Sequence, residues 1–204
     1  MAFPQNFQLQ IIGVGQEWRR DDAAGLLVAR LLKLPQTCRG GPVGPPPGRC
    51  TPGSAPTTDA ASLTPYRSQV TVLETSGSIS DLLAAWDGAD AVILADAVRA
   101  GGPPGKIYRF RVHEAALPAE LFPAASTHAW GIAQAVALGQ VLQQLPPFLV
   151  VYGIEGQDFG IGQTLSPAVA QAIPAAALLI LQEVQEVLGE GYIGQQFLLQ
   201  FSQS

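Results

Sequence analysis

The sequence predicts an α/β protein organised around a mainly parallel sheet, and three stretches carry that expectation. Residues 11–25, IIGVGQEWRRDDAAG, pass without a gap from a β-branched strand through a glycine turn and a charged loop into a helix start. Residues 89–95, ADAVILA, form a near-continuous apolar run, as expected of a parallel strand buried on both faces. Residues 146–153, PPFLVVYG, supply a second buried strand of the same kind. In such open sheets ligands sit outside the carboxyl ends of the strands, so the loop at 15–22 is the first place to look for a site.

Taken in order, residues 8–14 make the first strand and residues 22–34 the first helix, with Leu26, Leu27, Ala29, Leu31, Leu32 and Leu34 as a broad apolar face that Pro35 stops. Residues 36–67 are so rich in Pro, Gly, Ser and Thr that they read as a flexible insertion within one domain spanning 1–204. Residues 69–74 form a second strand, followed by a polar turn at 75–80 and a short helix at 81–86. The apolar run at 89–95 ends on Asp96, and the turn Gly101-Gly-Pro-Pro-Gly105 leads into 106–112, whose alternation suits an edge strand. Ser126-Thr-His128 precedes a helix at 129–145, with Trp130, Ala133, Val136, Ala137, Val141 and Leu145 at three- or four-residue steps. After the strand at 146–153 come Glu155 and Asp158 on a loop. Ser166-Pro167 then opens a helix, as N-cap and first helical position, that Pro174 kinks or divides and Gly189 ends. The glutamine-rich tail at 191–204 carries Phe197, Leu198, Leu199 and Phe201; packing on the body and fraying both remain open for it.

Composition narrows the function. With 204 residues, 48% of them hydrophobic, the chain can bury one sizeable core. A net charge of -5 and the lack of a basic stripe argue against nucleic acid as a partner. The first ten residues, MAFPQNFQLQ, show no cationic and apolar regions of a secretory signal. The most apolar window, 168–181, contains Gln171 and Pro174 and is too short to span a bilayer, so a cytoplasmic location with no membrane partner is expected. Cys38 and Cys50 lie in the insertion without C-x-x-C spacing or paired histidines, and read as surface thiols.

The loop after the first strand begins like a dinucleotide fingerprint, Gly13-Val-Gly15, but the third glycine would fall at Trp18. Its ring blocks close backbone approach, and Asp21 and Asp22 would repel a pyrophosphate. One of the two aspartates serves as a helix N-cap in the simplest reading, which leaves the other over. Asp22 after the first strand, Asp96 at the tip of a later one and His128 at a helix start fall on one edge of the sheet. Two carboxylates and an imidazole suit zinc or nickel with open coordination positions; the alternative is one cap, one solvated acid and one satisfied histidine. His113, in Arg111-Val-His-Glu114, is expected to be exposed.

The order G-x-G-x-x-x-x-x-D-D, an apolar strand with terminal Asp, S-T-H-x-x-G, Val150-Val-Tyr-Gly-Ile154 and Gly162-x-x-Leu-Ser-Pro167 resembles the nickel-iron hydrogenase maturation endopeptidases. The resemblance covers nearly the whole chain outside the insertion. It implies a three-layer α/β/α sandwich around a twisted, mainly parallel sheet of about five strands, and a metal-reading site at Asp22, Asp96 and His128. It further implies removal of a C-terminal extension from a hydrogenase large-subunit precursor, the partner, after that precursor has received nickel. The nickel is carried by the substrate, and zinc or another divalent ion is expected to fit the same site in the isolated protein. No Ser-His-Asp or Cys-His arrangement is visible, which disfavours a covalent nucleophile. A chaperone that binds the loaded precursor without cleaving it is the alternative. Three positions depart from the family pattern: Gln16 where Asn is common, Ala23 where Gly is common, and Glu74-Thr-Ser-Gly-Ser78 in place of an acidic D-G-G-T-like box that belongs to the substrate-recognition surface. Arg19 and Arg20 either hold the substrate's C-terminal segment or are solvated; Glu155 either rims the cleft or is solvated.

Overall fold

The computed structural model describes residues 7–33, 63, 68–114, 117 and 129–189. Five strands, β1 (Leu9–Val14), β2 (Val70–Thr75), β3 (Ala91–Val98), β4 (Ile107–Arg111) and β5 (Phe148–Glu155), form one sheet in the order β2-β1-β3-β5-β4. All neighbours are parallel except β4, which runs antiparallel along β5 at the edge. The central strand β3 is buried along its whole length, which accounts for its continuous apolar sequence.

Alternation along the strands divides the core in two. Leu9 and Ile11 of β1, with Ala91, Ile93, Ala95 and Ala97 of β3, face α1 (Ala24–Lys33) and α4 (Pro167–Leu188). Ile12, Val14, Val92, Leu94 and Val98 face the other way, onto α2 (Ile79–Trp86) and α3 (Ala129–Val141). The result is the expected α/β/α sandwich. By the same parity Asp96, between Ala95 and Ala97, belongs to the face of α2 and α3.

Glycines set how closely α1 approaches the sheet. A Cβ on Gly25 would overlap the carbonyl oxygens of Val14 and Ala95, so the first turn of α1 lies directly across the ends of β1 and β3. Gly13 likewise leaves room for the Gly25 carbonyl and the Ala29 side chain.

Several boundaries differ from the sequence expectation. β3 continues to Val98, so Asp96 is not its last residue, although the β1–β3 pairing stops one residue before it, at Gly13 and Ala95. α3 ends at Val141 and buries Ile132, Ala135 and Val136, while Val141 is 80% exposed. Gly131 and Gly139 fix that face: a Cβ on Gly131 would overlap the Gly77 carbonyl, and one on Gly139 would meet Leu145 at 2.9 Å. α4 runs unbroken through Pro174. Proline removes the amide that Ala170 would bond, and both residues are exposed, so water can serve that carbonyl. At 22 residues α4 is long and apolar enough to cross a membrane, the only such helix among the described residues, but half of its most apolar window is buried inside the fold. The segment 36–67, except Leu63, and the tail 191–204 lie outside the described residues, and Cys38 and Cys50 with them.

Candidate active site

The chain between β1 and α1 is not a simple cap. After Gly15 it makes a turn from Gln16 to Arg19, closed by the Arg19 amide on the Gln16 carbonyl at 3.2 Å, then a 3-10 turn, Arg20–Ala23. Gly15 has φ 148°, and a Cβ there would overlap the Asp22 carbonyl. The N-cap position falls on Arg19, which makes no side-chain cap bond. Neither aspartate caps the helix; both are buried, and each does something different.

Asp21 reaches across to the connection between β5 and α4. Its carboxylate accepts from the amides of Gln157 and Asp158, each at 2.8 Å, and from the amide and hydroxyl of Ser166, each at 2.7 Å. Burial alone would raise this carboxyl, but the Asp158, Ser166 and Gln157 donors hold it below its ordinary value. Ser166 does stand at the N-cap of α4 with Pro167 following, yet its hydroxyl is given to Asp21 and not to the helix.

Asp22 accepts from the Gln16 amide at 3.1 Å and lies close enough to Asp96 for the two charges to repel. Asp96 is 1% exposed; its Oδ1 accepts from the Ala97 amide at 2.8 Å, and its Oδ2 is buried with no hydrogen-bond partner among the described residues. Burial first, and the Asp22 charge second, push the Asp96 carboxyl well above its ordinary value, against a smaller opposing effect of the Ala97 amide. An orphaned carboxylate oxygen opposite a second acid is the donor set a divalent cation satisfies, so these residues fit a metal. No cluster of three metal-binding side chains occurs among the described residues, which do not include His128. α3 begins at Ala129, the residue after His128, and its first turn lies against Gly77 in the loop that follows β2.

The other residues singled out from sequence are tied down. Arg19 donates to the Phe159 carbonyl from Nε at 3.4 Å and from Nη2 at 3.3 Å, and Arg20 pairs with Asp158 at 2.5 Å while its Nε meets the Ile161 carbonyl at 3.3 Å. Neither is a merely solvated loop arginine. Glu155 is the last residue of β5, not a loop acid, and at 2% exposure it is not solvated. It accepts from the amides of Ala100 at 2.9 Å and Gly101 at 3.0 Å, which anchors the turn between β3 and β4. Glu74, in the position of the altered acidic box, is held by Arg30 and Lys33 of α1, each at 2.9 Å. His113 is exposed, with Nε2 at 2.8 Å from the Pro146 carbonyl. Sequence reasoning missed Glu183, a buried acid on α4 that Arg109 grips with two contacts of 2.6 Å and Tyr152 meets at 2.7 Å. A lone acid on the apolar inner face of a helix was the available signal.

A strand-loop-helix acid facing a second buried acid at the carboxyl edge of a mainly parallel sheet defines a class: an α/β/α protein with a pair of buried carboxylates at the end of its sheet. The particular family follows from comparison with known proteins. A family model described as hydrogenase maturation protease matches residues 60–183, more than half of the chain, and the chain belongs to that family of peptidases. The matched stretch contains Asp96 and His128, and Asp22 lies ahead of it. The hydrogenase maturating endopeptidase HybD from Escherichia coli is 20% identical with a TM-score of 0.64, the match covering 89% of this chain and 94% of that one. An endopeptidase from Escherichia coli, known as a solution structure, is 21% identical with a TM-score of 0.65 over 89% of this chain and 94% of the other. The hydrogenase maturation protease HycI from Thermococcus kodakarensis is 22% identical with a TM-score of 0.52, covering 88% of this chain and 94% of that one. No curated protein matches the chain.

Proposed function

We propose that this peptidase removes a C-terminal extension from the precursor of a nickel-iron hydrogenase large subunit after nickel insertion, reading the substrate's nickel with Asp22, Asp96 and His128. The observation that carries the reading is the unpartnered Asp96 Oδ2, buried opposite Asp22 in a chain of this family. Parity puts Asp96 on the face of α2 and α3, and His128 immediately precedes α3 in sequence, which supports its place in the reading. Three ligands leave coordination positions for groups the precursor brings. Zinc or another divalent ion held by the same residues would polarise the scissile carbonyl or lower the pKa of an attacking water. The chain's own residues set the geometry: the Gln16 amide orients Asp22, and the Ala97 amide orients Asp96. The protein acts as one domain in the cytoplasm, where it meets its precursor.

The test is the intact mass of a co-expressed, nickel-loaded large-subunit precursor before and after incubation with this protein or its Asp22→Ala variant. Loss of a C-terminal peptide only with the unaltered protein, and only after nickel loading, is the expected result. A precursor that stays whole yet co-purifies would overturn cleavage in favour of a non-cleaving chaperone.

A further inference from the structure

Trp18 is 64% exposed and Ile161 is 90% exposed, and they stand on two loops that pair with each other. Arg19 and Gly162 form an isolated parallel bridge: the Gly162 amide donates to the Trp18 carbonyl and the Arg20 amide to the Gly162 carbonyl, both at 2.9 Å. That register brings the backbone of Trp18 alongside that of Ile161. The loops are held firmly. Arg20 is paired with Asp158, Arg19 with the Phe159 carbonyl, the Gly160 amide bonds the Asp158 carboxylate at 2.8 Å, and Asp21 gathers four donors from 157–166. Two large apolar side chains are thus exposed on loops whose backbone is held by polar contacts.

The pair is continuous with the acid site. Trp18 lies inside the Gln16–Arg19 turn, and both ends of that turn are bonded to Asp22: the Gln16 amide donates to its carboxylate, and the Asp22 amide donates to the Arg19 carbonyl at 3.0 Å. The turn that carries Trp18 is thus part of the same hydrogen-bonded unit as Asp22. A tryptophan and an isoleucine together present on the order of a few hundred Å², whereas a stable dimer needs about 800 Å² from each partner. The area suits an apolar stretch of a substrate already engaged at the cleft.

We infer that Trp18 and Ile161 form a docking step for the large-subunit precursor, taking apolar side chains of the segment that flanks its scissile bond. This rests on the peptidase reading above and adds the residues that select the substrate. Pre-formed aromatic anchors of this kind concentrate binding energy, because little ordering is lost when they are covered.

The experiment measures cleavage of a nickel-loaded precursor by intact mass across a range of precursor concentrations, and its dissociation constant by calorimetry, for the unaltered protein, a Trp18→Ser/Ile161→Ser double variant and Val141→Ser. Val141 is equally exposed but closes α3 at the opposite edge of the sheet, and serves as the control. The double variant should keep its melting temperature, raise KM and Kd by tenfold or more, and leave kcat within twofold; Val141→Ser should change none of these. Unchanged KM and Kd in the double variant, or an equal loss with Val141→Ser, would overturn the docking role. Binding without cleavage by the unaltered protein would sink the peptidase reading alone, with docking still judged by the Kd difference. If the unaltered protein neither binds nor cleaves, both fall.

Discussion

Asp21 and Asp96 are buried alike, at 0% and 1% exposure, and yet their carboxylates are treated in opposite ways. The Asp21 carboxylate receives four hydrogen bonds from Gln157, Asp158 and Ser166, and its ionised form is favoured. Asp96 receives one from its neighbour's amide, has an empty oxygen, and faces a second acid. Burial therefore does not separate a structural acid from a functional one; the supply of donors does. The fold stabilises itself through Asp21, whereas at Asp96 burial and Asp22 disfavour the ionised form and one oxygen has no partner among the described residues.

The comparison breaks first, and most severely, at Asp21. Asp21→Ala leaves the Gln157 and Asp158 amides and the Ser166 amide and hydroxyl without their acceptor, which should cost about 3–5 kcal/mol of stability. Urea unfolding would register that as a large fall in the transition midpoint. A loss below about 1 kcal/mol would mean that water replaces the carboxylate and that Asp21 is not the clasp described.

Much of this architecture was legible in the sequence, and the exceptions share a cause. The five strands, the edge position of the fourth and the positions of Asp22 and Asp96 at one end of the sheet follow from patterns within a few residues: apolar runs, alternation, glycine turns, acids at strand ends. The partners of Asp21 lie 136 to 145 residues away, so no local pattern could separate it from an N-cap. The orientation of α3 was misjudged because AWGIAQAVALGQV lacks a charged side to phase it, and the close approaches at Gly131 and Gly139 decide the matter. Glu155 looked like a loop acid because its strand was read two residues short.

A smaller effect is expected at Glu183, the third kind of buried acid, which is satisfied by a cation as well as by hydrogen bonds. Burial raises its carboxyl, but Arg109 and Tyr152, with the more distant charge of Arg111, bring it below the ordinary glutamate value of 4.5. A depressed folded-state value means that the contribution is complete above 4.5 and disappears as pH falls through the lowered value. Glu183→Gln should cost about 1.5–3 kcal/mol at neutral pH. The difference between the two proteins should shrink in the acid range below 4.5. Equilibrium unfolding at several pH values checks this, and a difference that stays constant into strong acid would remove the charge from the explanation.

The smallest change in stability belongs to Asp96, and its sign is what matters. Asp96→Asn keeps the shape and the bond from the Ala97 amide through the amide oxygen, and removes a carboxyl whose ionised form burial and Asp22 disfavour. Satisfied acids lose stability on neutralisation; this one should be unchanged or gain on the order of 1 kcal/mol, since burial and Asp22 already disfavour its ionised form. Cleavage of a nickel-loaded precursor should fall at least a hundredfold in the same variant, the trade expected where a site is kept strained for function. Thermal unfolding and the mass assay read the two effects separately. If Asp96→Asn instead destabilised the protein as Asp21→Ala does, Asp96 would belong with the structural acids, and the contrast between the two carboxylates would no longer mark the site.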